Sequence, residues 1–152
     1  MILSIHKNLK PAPHRKRTKV RWNIAILMWA AIAINYLDRA NLSAAAPEIM
    51  KELHLNDAQM GIVMSAFFWS YVIFQIPSGW FADKVGHRIS LAFAVGWWSL
   101  ATALTAAARG MGSLVGLRIL LGIGESGAYP SNSGVTSKWF PDHERGKVSA
   151  FF

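Results

Sequence analysis

The sequence predicts an all-α membrane protein, and three observations support this prediction: the composition, the grouping of the apolar residues and the position of the charges. Hydrophobic residues make up 53% of the 152 residues and charged residues only 16%, a balance that suits lipid better than water. The apolar residues form four stretches of about 20 residues, each long enough to cross the ~30 Å hydrocarbon core of a bilayer. The net charge is +8, and many of the basic residues precede the first stretch.

A soluble helical bundle and a nucleic-acid-binding protein are the alternatives that this composition raises. A surface helix of a soluble bundle has a polar face, whereas residues 89–108 carry no charge on any side. Binding to nucleic acid requires basic residues on a folded surface, whereas here they cluster before the first apolar stretch. Both alternatives are therefore disfavoured, and we expect no nucleic acid among the partners.

Residues 1–21 form a basic segment that we predict to be a cytoplasmic tail. Pro11 and Pro13 argue against a folded basic domain there. A signal peptide also begins with positive charge, but the apolar run after this segment is long and no convincing small-residue cleavage site follows it. The basic residues of the tail are Lys7, Lys10, Arg15, Lys16, Arg17, Lys19 and Arg21.

The apolar stretches predict four membrane-spanning helices and the start of a fifth. Trp22 suits the start of the first helix because indole rings favour the membrane interface, and Pro47 ends its apolar pattern. The tail and the second loop, around residues 83–88, carry positive charge, which places both on the inside. The predicted helices cover residues 22–46, 58–81, 89–108 and 114–136, with a fifth from about 148.

No metal or other cofactor is expected. The absence of cysteine excludes disulfides and thiolate metal sites. His54, His87 and His143 fall in predicted loops, where we expect them to be solvated, and their spacing is not typical of a metal site.

Ionisable residues inside the predicted helices are the main functional signal. A charge inside a membrane is expensive, so such a group needs a partner, a watery cavity or a function. At a rise of ~1.5 Å per residue, Asp38 lies ~24 Å and Arg118 ~22 Å above the inner face, so the two can meet. Glu125 follows Arg118 by seven residues, on nearly the same helix face and ~10 Å deeper. Arg39 adjoins Asp38 in the first helix.

These charges have two interpretations. In the functional one, Arg118 binds the carboxylate of a substrate as a bidentate donor, and Glu125 or Asp38 takes up a coupling proton. In the structural one, an ion pair between Asp38 and Arg118 locks the first and fourth helices together. Tyr36 and Asn35 precede Asp38 and are predicted to line the same cavity.

A glycine-rich segment, residues 79–88, joins the second and third helices. Gly79 and Gly86 permit a tight turn, and Asp83 can meet the positive end of a neighbouring helix or a basic side chain. We predict that this turn latches one conformation of the protein. Lys84 and Arg88 equally suit an ordinary loop on the inner side of a membrane.

The fourth helix is rich in glycine, and Pro130 lies within its apolar run. Small residues let helices pack closely, and a proline lets a helix bend. Close packing is therefore the main role expected of these glycines. The aromatic residues of the second helix are likewise expected to pack or to face lipid, namely Phe67, Phe68, Trp69 and Tyr71.

Several motifs in this sequence resemble the major facilitator superfamily and, within it, the anion:cation symporter family. Residues 79–88 match the superfamily signature G-x-x-x-D-[RK]-x-G-x-[RK] at every defined position. Residues 118–124 match the pattern R-x-x-x-G-x-G of its fourth helix. The resemblance to the symporter family rests on residues 36–41, 125–130 and 139–145.

The resemblance implies a fold of twelve helices in two halves, with the substrate at their interface and transport by alternating access. It implies proton-coupled uptake of a sugar acid, such as galactonate, glucarate or a hexuronate, by a multi-pass inner-membrane protein, and Na⁺ stays open as the coupling ion. The expected partners are the small organic anion, membrane lipid and the missing second half of the transporter. The resemblance assigns proton coupling to Asp38 and Glu125, and the substrate to Arg118, Arg39, Tyr36 and Asn132.

Other functions are less compatible with the sequence. A membrane-embedded enzyme using Asp38 and Glu125 as acid and base is disfavoured because the two lie ~12 Å apart in depth. A structural or receptor-like four-helix membrane protein, in which the charges only pin helices together, does not require the signature at 79–88. A truncated transporter fragment without activity of its own is the remaining alternative.

Overall fold

The computed structural model describes residues 20–150, and these form six helices and no strand. Most of the predicted tail, and the residues after 150 where the predicted fifth helix continues, lie outside the described residues. The helices are α1 (Val20–Glu52), α2 (Asp57–Val85), α3 (His87–Thr105), α4 (Met111–Glu125), α5 (Ala128–Trp139) and α6 (Asp142–Ser149).

By length and composition, α1 and α2 can each cross a membrane. In each helix only 22% of the most apolar 18-residue stretch is buried inside the structure. Large apolar side chains instead face outward, such as Leu27, which is 71% exposed, and Ile76, which is 83% exposed. The core helix of a soluble protein is mostly buried, so this exposure favours a lipid environment.

The interior of the bundle is built around α4, which packs between α2 and α3. One apolar cluster joins Phe67 of α2, Trp98 of α3 and Leu121 of α4. A second cluster joins Leu42 of α1 to α2 and to Leu114 of α4. The fourth helix of the sequence prediction is therefore the helix that organises the fold.

The first helix is longer than the predicted range of 22–46, because α1 continues to Glu52 with Pro47 inside it. A proline removes one backbone donor, but a helix continues past it when packing holds both sides. Ala46 belongs to the second apolar cluster just before the proline, and Ile49 packs against that cluster just after it.

The predicted loop around residues 83–88 consists of Gly86 alone. Its φ of 97° is a left-handed conformation that glycine adopts without strain, so a single residue reverses the chain. His87, expected in a loop and solvated, is instead the first residue of α3 and is buried. Otherwise the bounds of α2 and α3 differ by at most four residues from the predicted 58–81 and 89–108.

The predicted helix over residues 114–136 is two helices, α4 and α5, separated by Ser126 and Gly127. Pro130 accounts for the break, because it lacks the N–H that would bond to the carbonyl of Ser126 and its ring clashes with that carbonyl. The new helix α5 carries Pro130 in its first turn, where a missing donor costs little.

A short helix, α6, precedes the position near 148 where the fifth helix was predicted to start. Two acidic residues in its first turn suit the positive end of the helix dipole. Val148 of α6 packs with Phe140 and with Ala25 near the start of α1, in a third apolar cluster. We refer to this end of the bundle, where α1 begins, as the tail-side end.

Candidate functional site

The structure pairs Arg39 of α1 with Glu125, the last residue of α4. Arg39 donates to Glu125 Oε2 from Nη2 at 2.8 Å and from Nε at 3.1 Å. The Glu125 side chain is fully buried, whereas that of Arg39 is 22% exposed. Charged hydrogen bonds of this geometry offset much of the cost of burying the carboxylate. Glu125 Oε1 makes no hydrogen bond within the described residues, so this oxygen is free to bind a proton.

Aromatic rings surround the Arg39 guanidinium on its other sides. Its Cζ lies 4.7 Å from the ring centre of Phe67, 5.0 Å from that of Tyr71 and 5.5 Å from that of Tyr36. The faces of aromatic rings attract a cation, so these rings hold the guanidinium in place. The Tyr36 hydroxyl also lies 3.3 Å from that of Tyr129 on α5. Phe67 and Tyr71, expected only to pack or to face lipid, are thus part of the site.

Asp38 and Arg118 line a cavity of about 340 Å³ between α1, α3 and α4. Asp38 Oδ2 accepts a hydrogen bond from Thr102 Oγ1 at 3.5 Å. Arg118 is 6% exposed and lies close enough for its charge to act on Asp38. The two side chains form no direct ion pair in the described part of the chain. The predicted shared level of Asp38 and Arg118 is therefore present, but their predicted contact is an electrostatic proximity.

The four charges form one cluster. Arg118 interacts electrostatically with both Glu125 and Asp38, and its Nε makes no hydrogen bond among the residues described. The buried side chain of Asn35 lies beside Glu125. With both carboxyls ionised, the formal charges of the cluster cancel, because Arg39 and Arg118 contribute one positive charge each. Each proton that binds a carboxyl therefore leaves the cluster more positive by one unit.

Gly122 and Gly124 hold α4 close to two different helices. A Cβ at position 122 would lie 2.6 Å from the carbonyl oxygen of Phe67 on α2. A Cβ at position 124 would lie 3.1 Å from the backbone nitrogen of Trp98 on α3. Glycine at both positions lets the two backbones approach, which fixes the end of α4 beside the charge cluster.

The other two residues predicted to bind substrate lie in different environments. Tyr36 is 53% exposed, on the α1 face that also carries Arg39. Asn132 is 2% exposed, and neither atom of its amide has a hydrogen-bond partner between residues 20 and 150. In this conformation Tyr36 is open to an approaching ligand and Asn132 is not.

The glycines of the signature segment shape the connection between α2 and α3. Gly86 supplies the reversal of the chain described above. Gly79 lies one helix diameter closer to α5 than an ordinary residue allows, since its Cβ would already contact Pro130 at 3.7 Å.

The charged residues of the same segment, Asp83, Lys84 and Arg88, are all exposed. Asp83 Oδ1 lies 4.0 Å from His87 Nε2, one turn along the chain. Lys84 Nζ lies 3.8 Å from the ring centre of Trp80. This surface is charged and has few internal ties, which suits contact with another part of a larger protein.

Comparison with known proteins places this arrangement in a family. Residues 28–152 match the family model of the Major Facilitator Superfamily. A D-galactonate transporter of Escherichia coli O6:H1 is 40% identical over 142 residues, covering 93% of this chain and 33% of that protein. A probable galactarate/D-glucarate transporter of Bacillus subtilis is 40% identical over 146 residues, covering 92% and 32%. The chloroplastic sodium-dependent phosphate transport protein 1 of Arabidopsis thaliana is 40% identical over 132 residues, covering 86% and 26%.

The chain thus spans about a third of the length of these relatives or less. The fold is also that of a solved structure, a bacterial homologue of the human lysosomal transporter Spinster in an inward-facing and occupied conformation. The TM-score is 0.82 at 23% identity, covering 88% of this chain and 29% of that one. The predicted family and fold are confirmed: with its signature segment, its glycine-packed α4 and a family match over most of its length, the chain belongs to the Major Facilitator Superfamily of multi-pass membrane transporters.

Proposed function

We propose that this chain is the first part of a secondary transporter that carries a small carboxylate together with protons by alternating access. The observation that carries the proposal is the cluster of two carboxyls and two guanidinium groups among apolar helices. Charges at membrane depth are costly and usually serve transport. The names of the two bacterial relatives suggest the substrate class, a sugar acid such as galactonate or glucarate.

The proposed location is the inner membrane, with the tail in the cytoplasm. The excess of basic residues in the segment before α1 supports this orientation, since such residues favour the cytoplasmic side. The tail-side end of the bundle is then the cytoplasmic end.

In the proposed mechanism, proton binding prepares the site for an anion. In the present state Glu125 neutralises Arg39. A proton on Glu125 removes that negative charge and lets Arg39 donate to a substrate carboxylate instead. A proton on Asp38 does the same for Arg118. A site with both carboxyls protonated therefore attracts the anion, and the anion and the protons travel together.

We assign the substrate carboxylate to Arg39 and Arg118, with the exposed Tyr36 as a further donor. The second half of the transporter would supply the contacts to the sugar hydroxyls. Asp83, Lys84 and Arg88 of the signature segment would contact that second half and latch one of the two conformations.

The Arabidopsis relative favours a second candidate, Na⁺-coupled transport of phosphate. Paired guanidinium groups suit phosphate as well as carboxylate. The two candidates differ in the coupling ion and in the anion, so one transport assay can separate them.

The test is uptake by the full-length transporter that contains this segment, reconstituted in lipid vesicles. An inward proton gradient should drive accumulation of labelled galactonate, and Arg118→Lys and Glu125→Gln should each abolish it. Arg109→Lys and Asp57→Asn are matched controls because both side chains are exposed outside the cluster. Proton-driven uptake that survives both cluster substitutions contradicts the assigned roles. Accumulation of phosphate under a Na⁺ gradient alone supports the second candidate.

A further inference from the structure

A line of unpaired polar atoms runs along one face of α4 and α5. Glu125 Oε1, both amide atoms of Asn132 and Thr136 Oγ1 are buried and make no hydrogen bond within the range the structure describes. Asn132 is 2% exposed and Thr136 is 4% exposed. Their intervals of seven and four residues keep the three side chains on the same face of the helical path.

Helix α1 covers this line. Its buried face includes Ala25, Met28, Ile32 and Asn35. At the tail-side end, Ala25 packs with Phe140, the residue after α5. At the other end, Asn35 lies beside Glu125. The residues between them, including Met28, therefore face the stretch of α5 that carries the unpaired atoms. We call this interface the α1–α5 seam.

Polar groups without partners are costly between apolar side chains, and buried water is the usual means of satisfying them. We propose that the α1–α5 seam is a hydration route that connects Glu125 with the tail-side end of the bundle. This inference rests on the proposed function, in which Glu125 binds a coupling proton. Asn132 and Thr136 are then positioning residues for water.

The distances along the seam suit a short file of water molecules. At a rise of ~1.5 Å per residue, Asn132 lies ~10 Å from Glu125 and Thr136 a further ~6 Å away. About three waters and about one water bridge these intervals at hydrogen-bond spacings of ~2.8 Å. The O–H bond at Glu125 Oε1 breaks as the first water accepts the proton. Each water then passes one proton to the next, until the solvent takes it up and Glu125 is left ionised.

The tail-side end of the seam is closed in this structure. Arg21 Nη1 lies 3.2 Å from Glu144 Oε2, and Arg21 Nη2 donates to Glu144 Oε1 at 3.2 Å. The ring of Trp22 meets that of Phe140 edge-on, with centres 5.9 Å apart. Both contacts join the start of α1 to the segment after α5, so they have to part before water enters. Glu125 then exchanges protons with this side only while the closure is open.

The first experiment detects water in the seam of the unmodified full-length transporter. Hydroxyl radicals generated by a brief X-ray pulse oxidise methionines that lie next to bound water. Met28 is 1% exposed and borders the seam, whereas Met60 is 4% exposed and belongs to a wholly apolar cluster. Oxidation of Met28 well above that of Met60 is expected. Equal protection of the two methionines would mean a dry seam and would overturn the proposal.

The second experiment separates proton release from substrate movement. Asn132→Leu and Thr136→Val should slow proton-driven uptake of galactonate about tenfold or more. Exchange of galactonate at equal concentrations on both sides needs no net proton release and should be unchanged. Thr136→Ser, which keeps the hydroxyl, should restore uptake, and Ser133→Ala at an exposed position of α5 is the control.

The remaining outcomes are also decisive. Unchanged uptake, or loss of uptake and exchange together in a correctly folded variant, overturns the role of the seam. If the unmodified transporter shows no proton-driven uptake of galactonate, the proposed function fails. Oxidation of Met28 still decides whether the seam holds water, so the two failures are distinguishable.

Discussion

Replacing Gly122 by alanine should force α2 and α4 apart and destabilise the protein. The added Cβ would lie 2.6 Å from the carbonyl oxygen of Phe67, whereas real Cβ atoms essentially never come within 3.0 Å. Because this oxygen belongs to the backbone, α2 has to withdraw by at least about 0.4 Å. Overpacking costs about 1–3 kcal/mol, and a clash with backbone places Gly122→Ala at the upper end.

Gly116→Ala is the matched control, because a Cβ at position 116 of the same helix would meet nothing within 4 Å. Both substitutions gain about 1 kcal/mol of helix propensity, so this gain cancels when the two variants are compared. We expect Gly122→Ala to be less stable than Gly116→Ala by about 3 kcal/mol in the free energy of unfolding.

Denaturant titration of the full-length protein in mixed micelles measures this difference. Gly122→Ala should also weaken galactonate binding, because the displaced Phe67 ring lies over the Arg39 guanidinium. If the two alanine variants unfold at the same denaturant concentration, the close approach of α2 and α4 is wrong. The explanation given for this glycine then fails with it.

Three further predictions concern other parts of the structure. Gly86→Ala should lower the free energy of unfolding by about 1–2 kcal/mol, because alanine is strained at a φ of 97°; an unchanged value would contradict the observed turn. A double-mutant cycle with Arg21→Ala and Glu144→Ala should give a coupling energy of about 1 kcal/mol in the same titration, and additive effects would mean that the pair is not formed. Phe67→Leu should weaken galactonate binding about fivefold by calorimetry through the lost cation–π contact. Phe68→Leu, at a ring that is 58% exposed, should leave binding unchanged, and equal effects would refute the role of the cage.

The depth of the charged residues is predictable from sequence, whereas the direction in which each one points is not. The rise per residue is the same in every α-helix, and Asp38 and Arg118 do line one cavity, as their common level predicts. Direction depends on how the helix is rotated about its own axis, which packing decides. Neighbouring residues point ~100° apart, so Asp38 meets Thr102 while Arg39 meets Glu125. No spacing in the sequence distinguishes these partners.

Glycine and proline show the same limit on what a pattern predicts. Gly79 and Gly86 both belong to the signature, yet the first lies inside α2 and only the second ends it. The difference lies in the backbone φ, which depends on what the following residues pack against. Pro130 likewise predicts a bend, but the break falls at Ser126 and Gly127, because a proline disrupts the turn that precedes it.

The position of this break links the stability of the bundle to its proposed function. Close packing through Gly122 and Gly124 ties α4 to α2 and α3 up to Glu125, and α5 begins just beyond it. A change in the angle between α5 and α1 therefore requires no repacking of α4. The ion pair from Arg39 to Glu125 ties α1 to the end of α4, directly above the seam. In the proposed mechanism a proton on Glu125 weakens that tie, so the event that admits the anion also loosens the helix that covers the hydration route.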